Sequence, residues 1–443
     1  MKGAKINKIV KYIKSDIDRF LLVCLSFSLP FERIPSFELL GVSVRLSLIF
    51  SFLIISRALY QLLVKKTRLI LSSQDKLLLA FMIWIILIIP VSINLSRALT
   101  VVLFTIFVIL TAFSISIIFK KEYFKHIAIS LFAATVFVVL FGAFQYLGDI
   151  FNLPGSITGL RERYSWAVFG FPRIQAFSLE PLYMAAFLLL PYSIAVVMFL
   201  TKDKICKISI QILIIALASF AIFMSVSRGG IYAMLFASLF ISFYLIATKK
   251  SSSILALKLL GIIACSFLVS LIIINYFNKT PSAFTKGKKG GSAFVDQVKN
   301  TSIGEGDERS QSRALAINIL NENKSSYLVG IGPGQFGPYA QDNLVSDNGW
   351  TIVNNMPIEI LLETGSVGVA LLILFFISII LKTNKILINA KDKITFLIVL
   401  SIWTYLAAQA IQVQTYSTLY ILYLWLPVGI ILALLRNRPN KNG

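Results

Sequence analysis

Apolar runs of about twenty residues recur along almost the whole chain, each closed by a short connection that bears Lys or Arg. A helix needs about twenty apolar residues to cross the hydrocarbon core of a bilayer. Lipid offers the backbone no hydrogen-bond partner, so each such run has to be helical. Twelve runs meet this rule: 19–36, 43–64, 77–94, 98–119, 126–150, 178–200, 207–225, 229–248, 254–277, 357–381, 394–412 and 417–435. The expected fold is therefore all-α, a polytopic bundle of about twelve spans with one large loop between the ninth and tenth.

Composition agrees that lipid is the solvent. Of the 443 residues 57% are hydrophobic and 14% charged, with a mean hydropathy of +0.82; soluble domains carry roughly 25% charged residues. The formal charge of +22 does not point to nucleic acid, because a nucleic-acid binder gathers Lys and Arg on one soluble face, and here they lie between apolar runs. Cys24, Cys206 and Cys265 show no spacing for a metal or a disulfide framework.

Basic residues alternate in a way that fixes an expected orientation. With the first connection inside, the inner connections hold twenty-six Lys and Arg, while the short outer loops hold only Arg33, Arg97, Arg161, Arg163, Arg173 and Arg228, and no Lys. By the positive-inside rule both termini are cytoplasmic. The Lys-rich start runs into an apolar stretch without a small-residue cleavage site, which reads as an uncleaved first span. The expected division is 1–277 for spans one to nine, 278–356 for the large extracytoplasmic loop, and 357–443 for the last three spans and the tail. Within the loop, Lys286 to Ser292 reads as flexible and Arg309 to Leu320 as helical, followed by a Gly-rich turn region.

The outer arginines are the most informative candidates for chemistry, because a guanidinium stays charged and grips phosphate through two parallel hydrogen bonds. Arg228 lies in a short polar break, Ser225-Val-Ser-Arg-Gly-Gly, between two apolar runs; the plain alternative is a snorkelling interface residue. Arg161, Arg163 and Arg173 share one loop and together make a cationic outer pocket, although each alone reads equally as a solvated charge. Arg309 and Arg313 fall on one helix face. Glu180, Glu359 and Glu363 stand at predicted span starts and are candidate bases, or simply acids at helix N-termini. His126 falls at the inner end of a span. Asp16 and Asp18 have the spacing of a metal-holding pair but precede the first span on the Lys-rich side. Gly332, Gly334 and Gly337 spell a GxGxxG, yet the strand-turn-helix context of a dinucleotide site is missing.

Three stretches resemble the membrane family of O-antigen polymerases and O-antigen ligases. They are Arg173-Ile-Gln-Ala-Phe-Ser-Leu-Glu180-Pro181; Ser225-Val-Ser-Arg228-Gly-Gly; and Arg313 with Gly330-Ile-Gly-Pro-Gly-Gln-Phe and Asn354-Asn355-Met-Pro-Ile-Glu359-Ile-Leu-Leu-Glu363-Thr-Gly365-Ser-Val-Gly368. The resemblance implies a GT-C-like, inverting, metal-independent glycosyltransferase that needs no cofactor and works on the outer face of the bacterial cytoplasmic membrane. Its donor would be a polyprenyl-diphosphate-linked oligosaccharide, with Arg173, Arg228 and Arg313, beside Arg161 and Arg163, binding the diphosphate. A flippase and a chain-length regulator would be its partners. Ligases of the family carry a histidine just before the last motif, where this chain has Asn354 and Asn355, and an amide cannot act as a base. A polymerase is therefore favoured over a ligase, with Arg228, Glu180 and Glu359 as the catalytic candidates. A lipid-linked oligosaccharide flippase stays open because Arg57 falls within an apolar run.

Overall fold

The computed structural model describes residues 16–39, 42–67, 71–277, 308–322, 324–343, 351–389, 392–417 and 419–436. The Lys-rich start, the Lys286 to Ser292 stretch and the tail after Arg436 lie outside the described residues. Among those described, ten helices are long and apolar enough to cross a membrane. In chain order the main helices are α1 (Ile17–Ser28), α2 (Leu46–Leu63), α3 (Ser73–Leu87), α4 (Leu95–Ile118), α5 (Phe124–Ile150), α6 (Pro181–Leu200) and α7 (Ile208–Ser225). They continue with α8 (Arg228–Ala247), α9 (Ser253–Tyr276), α10 (Glu308–Glu322), α11 (Phe336–Asp342), α12 (Met356–Asn389), α13 (Lys393–Gln412) and α14 (Leu422–Arg436).

Three differences from the sequence reading have local causes. The expected first span, 19–36, is a helix of only 12 residues. It stops ahead of Pro30, which can neither donate to the helix nor fit against its preceding turn. The architecture is all-α as expected, with one short addition: Ser36–Leu39 and Val42–Arg45 pair as an antiparallel hairpin, following the period-two alternation in Val42-Ser-Val-Arg45. The hairpin delays the start of α2 to Leu46. The expected last span, 417–435, is a helix of 15 residues, α14, shorter than a full crossing.

Helix starts follow ordinary capping chemistry. Asp16 caps α1 by accepting from Arg19 N at 3.4 Å. Ser72 and Asp75 form a reciprocal capping box on α3. Ser227 and Ser252 cap α8 and α9. Pro181 occupies the first position of α6, where its missing N–H costs nothing.

The chain divides into two compact units. The first comprises Met1–Arg57, Ile118–Asn300 and Lys393–Gln409. At its centre lies α6, apolar on every face and almost wholly buried. Tyr192 on α6 meets Ser238 of α8 at 2.6 Å, and Gln409 of α13 donates to Ala186 O at 3.2 Å. Arg57 pairs with Asp18 at 2.6 Å, and Tyr123 donates to Asp16 at 2.7 Å, so both aspartates hold protein partners.

The second unit comprises Ala58–Ile117, Thr301–Asp392 and Ala410–Gly443. Here α10, close to the predicted 309–320, packs with α11 and the start of α12 around Ala316, Ile319, Leu320, Ile331, Phe336, Val353 and Leu362. Its α12 is interrupted at Gly365 (φ 66°, ψ −177°). The carbonyls around the break find partners nonetheless: Ile331 N donates to Leu362 O at 2.9 Å, Gly332 N to Glu363 O at 3.1 Å, and Trp84 Nε1 to Thr364 O at 2.8 Å.

Candidate functional site

The first unit gathers the loop arginines around one aromatic ring. Between α5 and α6 the chain makes short helical turns at Gly155–Thr158, Glu162–Tyr164 and Trp166–Phe169. Tyr164 is buried, and the guanidinium groups of Arg163 and Arg173 both lie over its ring, 5.0 and 5.7 Å from the centroid. Arg173 also lies 5.0 Å from the Phe169 centroid. Burial, then nearby Glu180, raises the Tyr164 phenol above its ordinary range, against the pull of Arg163, Arg173 and Arg161. Two cations rest on one ring, each held there by its quadrupole.

Backbone geometry fixes the same residues. Arg173 N donates to Tyr164 O at 2.9 Å. Its side chain donates from Nε to Ser225 O at 3.1 Å and from Nη2 to Val226 O at 3.4 Å, satisfying carbonyls at the C-terminus of α7. The Ser225-Val-Ser-Arg228 break is thus a structured joint. Val226 is left-handed (φ 51°), Ser225 Oγ donates to Ile222 O at 2.7 Å, and Ser227 caps α8 with Arg228 as its first residue. Arg173 therefore stands on the chain immediately before Arg228.

Glu180 precedes α6, and its Oε1 accepts from Arg163 Nη2 at 2.7 Å. It holds one of the arginines as well as being a candidate base. Arg161 begins the turn that carries Tyr164. Next to it sits Arg33, whose Nη2 donates to Gly159 O and whose ordinary pKa is lowered by burial and then by Arg161. The neighbouring Glu32 is buried and accepts from Leu179 N at 3.3 Å.

In the second unit the Gly330 to Gly334 segment serves the broken helix instead of a nucleotide. It follows a helical turn, Ser326–Val329, and not a strand. Its N–H groups point back into α12: Gly334 N and Phe336 N donate to the Glu363 carboxylate at 2.7 and 3.2 Å. Glu359 accepts from Val353 N at 2.7 Å. Arg97, on the first turn of α4, is 8% exposed, donates to Thr351 O at 3.4 Å, and lies in the field of Glu363, Tyr420 and Glu359. A cavity of about 50 Å³ lies against both glutamates, Thr105 and Tyr420, large enough for water. Arg313 lies on α10.

The two asparagines have local duties. Asn354 takes the left-handed conformation (φ 58°) that asparagine tolerates. Asn355 caps α12, its Oδ1 accepting from Ile358 N at 3.1 Å, while its Nδ2 reaches Gln414 Oε1 at 3.2 Å and its N–H reaches Ser417 Oγ at 2.8 Å.

Of the residues singled out in the sequence, Arg161, Arg163, Arg173, Arg228 and Glu180 share the first unit. Gly332, Gly334, Asn354, Asn355, Glu359 and Arg313 share the second. Glu32 and Tyr164 were not singled out. The signal for Glu32 was its place in Pro30-Phe-Glu-Arg-Ile-Pro35, a charged pair between two prolines that a spanning helix does not accommodate.

Residues 213–373 match the family model described as O-Antigen ligase. The match runs from α7 past the break in α12, and so takes in Arg228, Arg313, the glycine segment, both asparagines, Glu359 and Glu363. The Arg161 to Glu180 loop precedes it. No curated protein matches the chain.

Proposed function

Starting from a helical membrane protein that carries an O-antigen ligase family domain and takes part in polysaccharide biosynthesis, we propose that it is a polysaccharide polymerase. It transfers a growing glycan from its polyprenyl diphosphate to the next lipid-linked repeat unit, on the outer face of the bacterial cytoplasmic membrane. The observation that carries this reading is the pair of guanidinium groups, Arg163 and Arg173, on the Tyr164 ring, adjoining the joint that carries Arg228. A diphosphate leaving group demands such a preorganised cationic seat.

In the proposed reaction an acceptor hydroxyl attacks the anomeric carbon from the side opposite the diphosphate. The bond from that carbon to the diphosphate oxygen breaks, polyprenyl diphosphate departs, and configuration inverts. Arg163, Arg173 and Arg228 take up the growing negative charge in place of a metal, and Arg161 adds to the field. The acceptor proton passes to a carboxylate. Glu180 suits this best, since its carboxylate is partly exposed beside Arg163, whereas Glu359 is tied to Val353 N. Both termini inside, the 278–356 loop outside, and a flippase and chain-length regulator as partners complete the proposal.

A ligase is the second reading, favoured by the description of the matching family model. The deciding experiment is glycan length in cells carrying Arg228→Ala or Arg228→Lys, with membrane abundance measured alongside. Loss of long chains, with single repeat units still reaching the surface, supports the polymerase. Accumulation of long lipid-linked chains with none delivered supports the ligase, and unchanged glycan removes Arg228 from the site. The transporter reading loses its main motive because Arg57 is paired with Asp18.

A further inference from the structure

We infer that Glu32 is a positioning residue of the arginine loop, acting through the Leu179 peptide on Glu180 and its partner Arg163. The inference rests on the proposed role of that loop as the seat of the donor diphosphate.

Four contacts tie the Phe31 to Arg33 segment to the loop. The Phe31 ring lies 4.7 Å from that of Phe177, which itself stacks on Phe141 at 4.3 Å. Arg33 N donates to Phe177 O at 2.9 Å. The Arg33 guanidinium and the Gln175 amide both donate to Gly159 O, at the other end of the same loop. The fourth contact is the Glu32 carboxylate on Leu179 N, one residue before Glu180. Phe31 and Glu32 are each 8% exposed, so the tie is sheltered from water, where a hydrogen bond to a carboxylate holds more firmly.

The consequence runs along a short path. Fixing the Leu179 peptide fixes the Cα of Glu180; Glu180 then places the Arg163 guanidinium at 2.7 Å, and Arg163 shares the Tyr164 ring with Arg173. Without the tie, the turn before α6 is free to move while the helices stay packed. Glu32 does not itself touch the proposed substrate seat through any contact described, so its influence is on geometry. Releasing it should weaken donor binding through Arg163, which raises KM, and misplace Glu180 as the proposed proton acceptor, which lowers kcat.

The test is steady-state kinetics of the purified full-length protein in lipid nanodiscs, with lipid-linked repeat units extracted from cells lacking the protein. Glu32→Ala is expected to raise KM about ten-fold and to lower kcat as well, each by less than the roughly hundred-fold that a full ångström of misplacement costs. Glu32→Gln keeps an acceptor for Leu179 N and is expected to restore KM to near that of the parent. A folded Glu32→Ala with parental KM, or a Gln variant as impaired as Ala, overturns the inference. Should Glu32→Ala not fold, Glu32→Asp decides: its shorter side chain should raise KM at parental thermal stability, and unchanged KM counts against the proposal. Arg163→Ala is run in parallel. If it too leaves KM unchanged, the arginine loop is not the donor seat and the functional proposal fails. If it raises KM and the Glu32 variants do not, only the positioning role is lost.

Discussion

Arg163 and Glu180, seventeen residues apart, meet at 2.7 Å and hold a guanidinium against the ring of Tyr164. Arg163 itself is about half exposed, so the ion pair alone contributes little to stability. Its value is geometric. Arg173 approaches the same ring from a backbone already fixed to Tyr164 O, with its own side chain bonded to the end of α7.

The ring is therefore expected to matter more than its hydroxyl. Each cation–π contact is worth about 0.5–2 kcal/mol. Tyr164→Ala should raise KM for the lipid-linked repeat unit by roughly ten-fold, whereas Tyr164→Phe, which keeps the π face, should stay within about three-fold. Equal loss in both variants would assign the effect to the hydroxyl. Kinetics in nanodiscs with membrane abundance as control distinguishes the two.

The glycine pair at the break of α12 gives a stability prediction. Gly365 and Gly330 both have positive φ, and the close approach is backbone to backbone. A Cβ on Gly365 would lie 2.2 Å from Leu328 O, and one on Gly330 would lie 2.4 Å from Glu363 O. Neither neighbour is the end of a flexible side chain. Gly365→Ala is expected to cost about 3 kcal/mol or more, strain and overpacking together, and to lower the thermal midpoint of the purified protein. An unchanged midpoint would contradict the close crossing.

Much of this was legible because membrane helices announce themselves by length and composition. The spans from α4 to α9 and the helix at 308–322 match the sequence reading to within a few residues, while α3 starts and ends earlier than the expected 77–94. What was not legible depends on residues distant in sequence. Nothing near Gly365 says that its freed carbonyls are served by Ile331, Gly332 and Trp84. Arg57 looked like a charge inside an apolar run, and only the fold brings Asp18 to it. The arginines were visible as a group, yet Tyr164 is ordinary in sequence and becomes notable only through what rests on it. Glu32 was hidden by counting it into an apolar first span.

At the buried end of α3, Asp75 and Arg436 form an ion pair at 2.7 Å, with Arg436 Nε adding a bond at 3.0 Å. Both side chains are almost fully enclosed, and Arg436 also donates to Ser116. Removing one partner leaves an uncompensated charge, so Asp75→Ala or Arg436→Leu should each cost about 3–5 kcal/mol. The double variant Asp75→Ala with Arg436→Leu should recover part of that loss, measured as the thermal midpoint. Additive losses would mean that the two charges do not compensate each other.

Glu32 supplies a pH dependence whose sign can be worked out. Burial pushes its carboxyl from about 4.5 up to about 7, with Glu180 adding to the rise and Arg45 and the Leu179 N–H opposing it. Between those two values the folded protein holds a proton that the unfolded chain has released. Folding then takes up a proton, and stability from this group falls as pH rises. The contribution is fully present below about 4.5 and lost as pH passes through about 7. At about 1.4 kcal/mol per pH unit, the loss across the window is a few kcal/mol at most. Glu32→Gln, permanently neutral, should remove this limb: its thermal midpoint should match the parent near pH 5 and exceed it near about pH 8. Parallel curves for the two proteins would mean that Glu32 titrates as an ordinary exposed acid, and that its carboxylate is not enclosed behind Leu179.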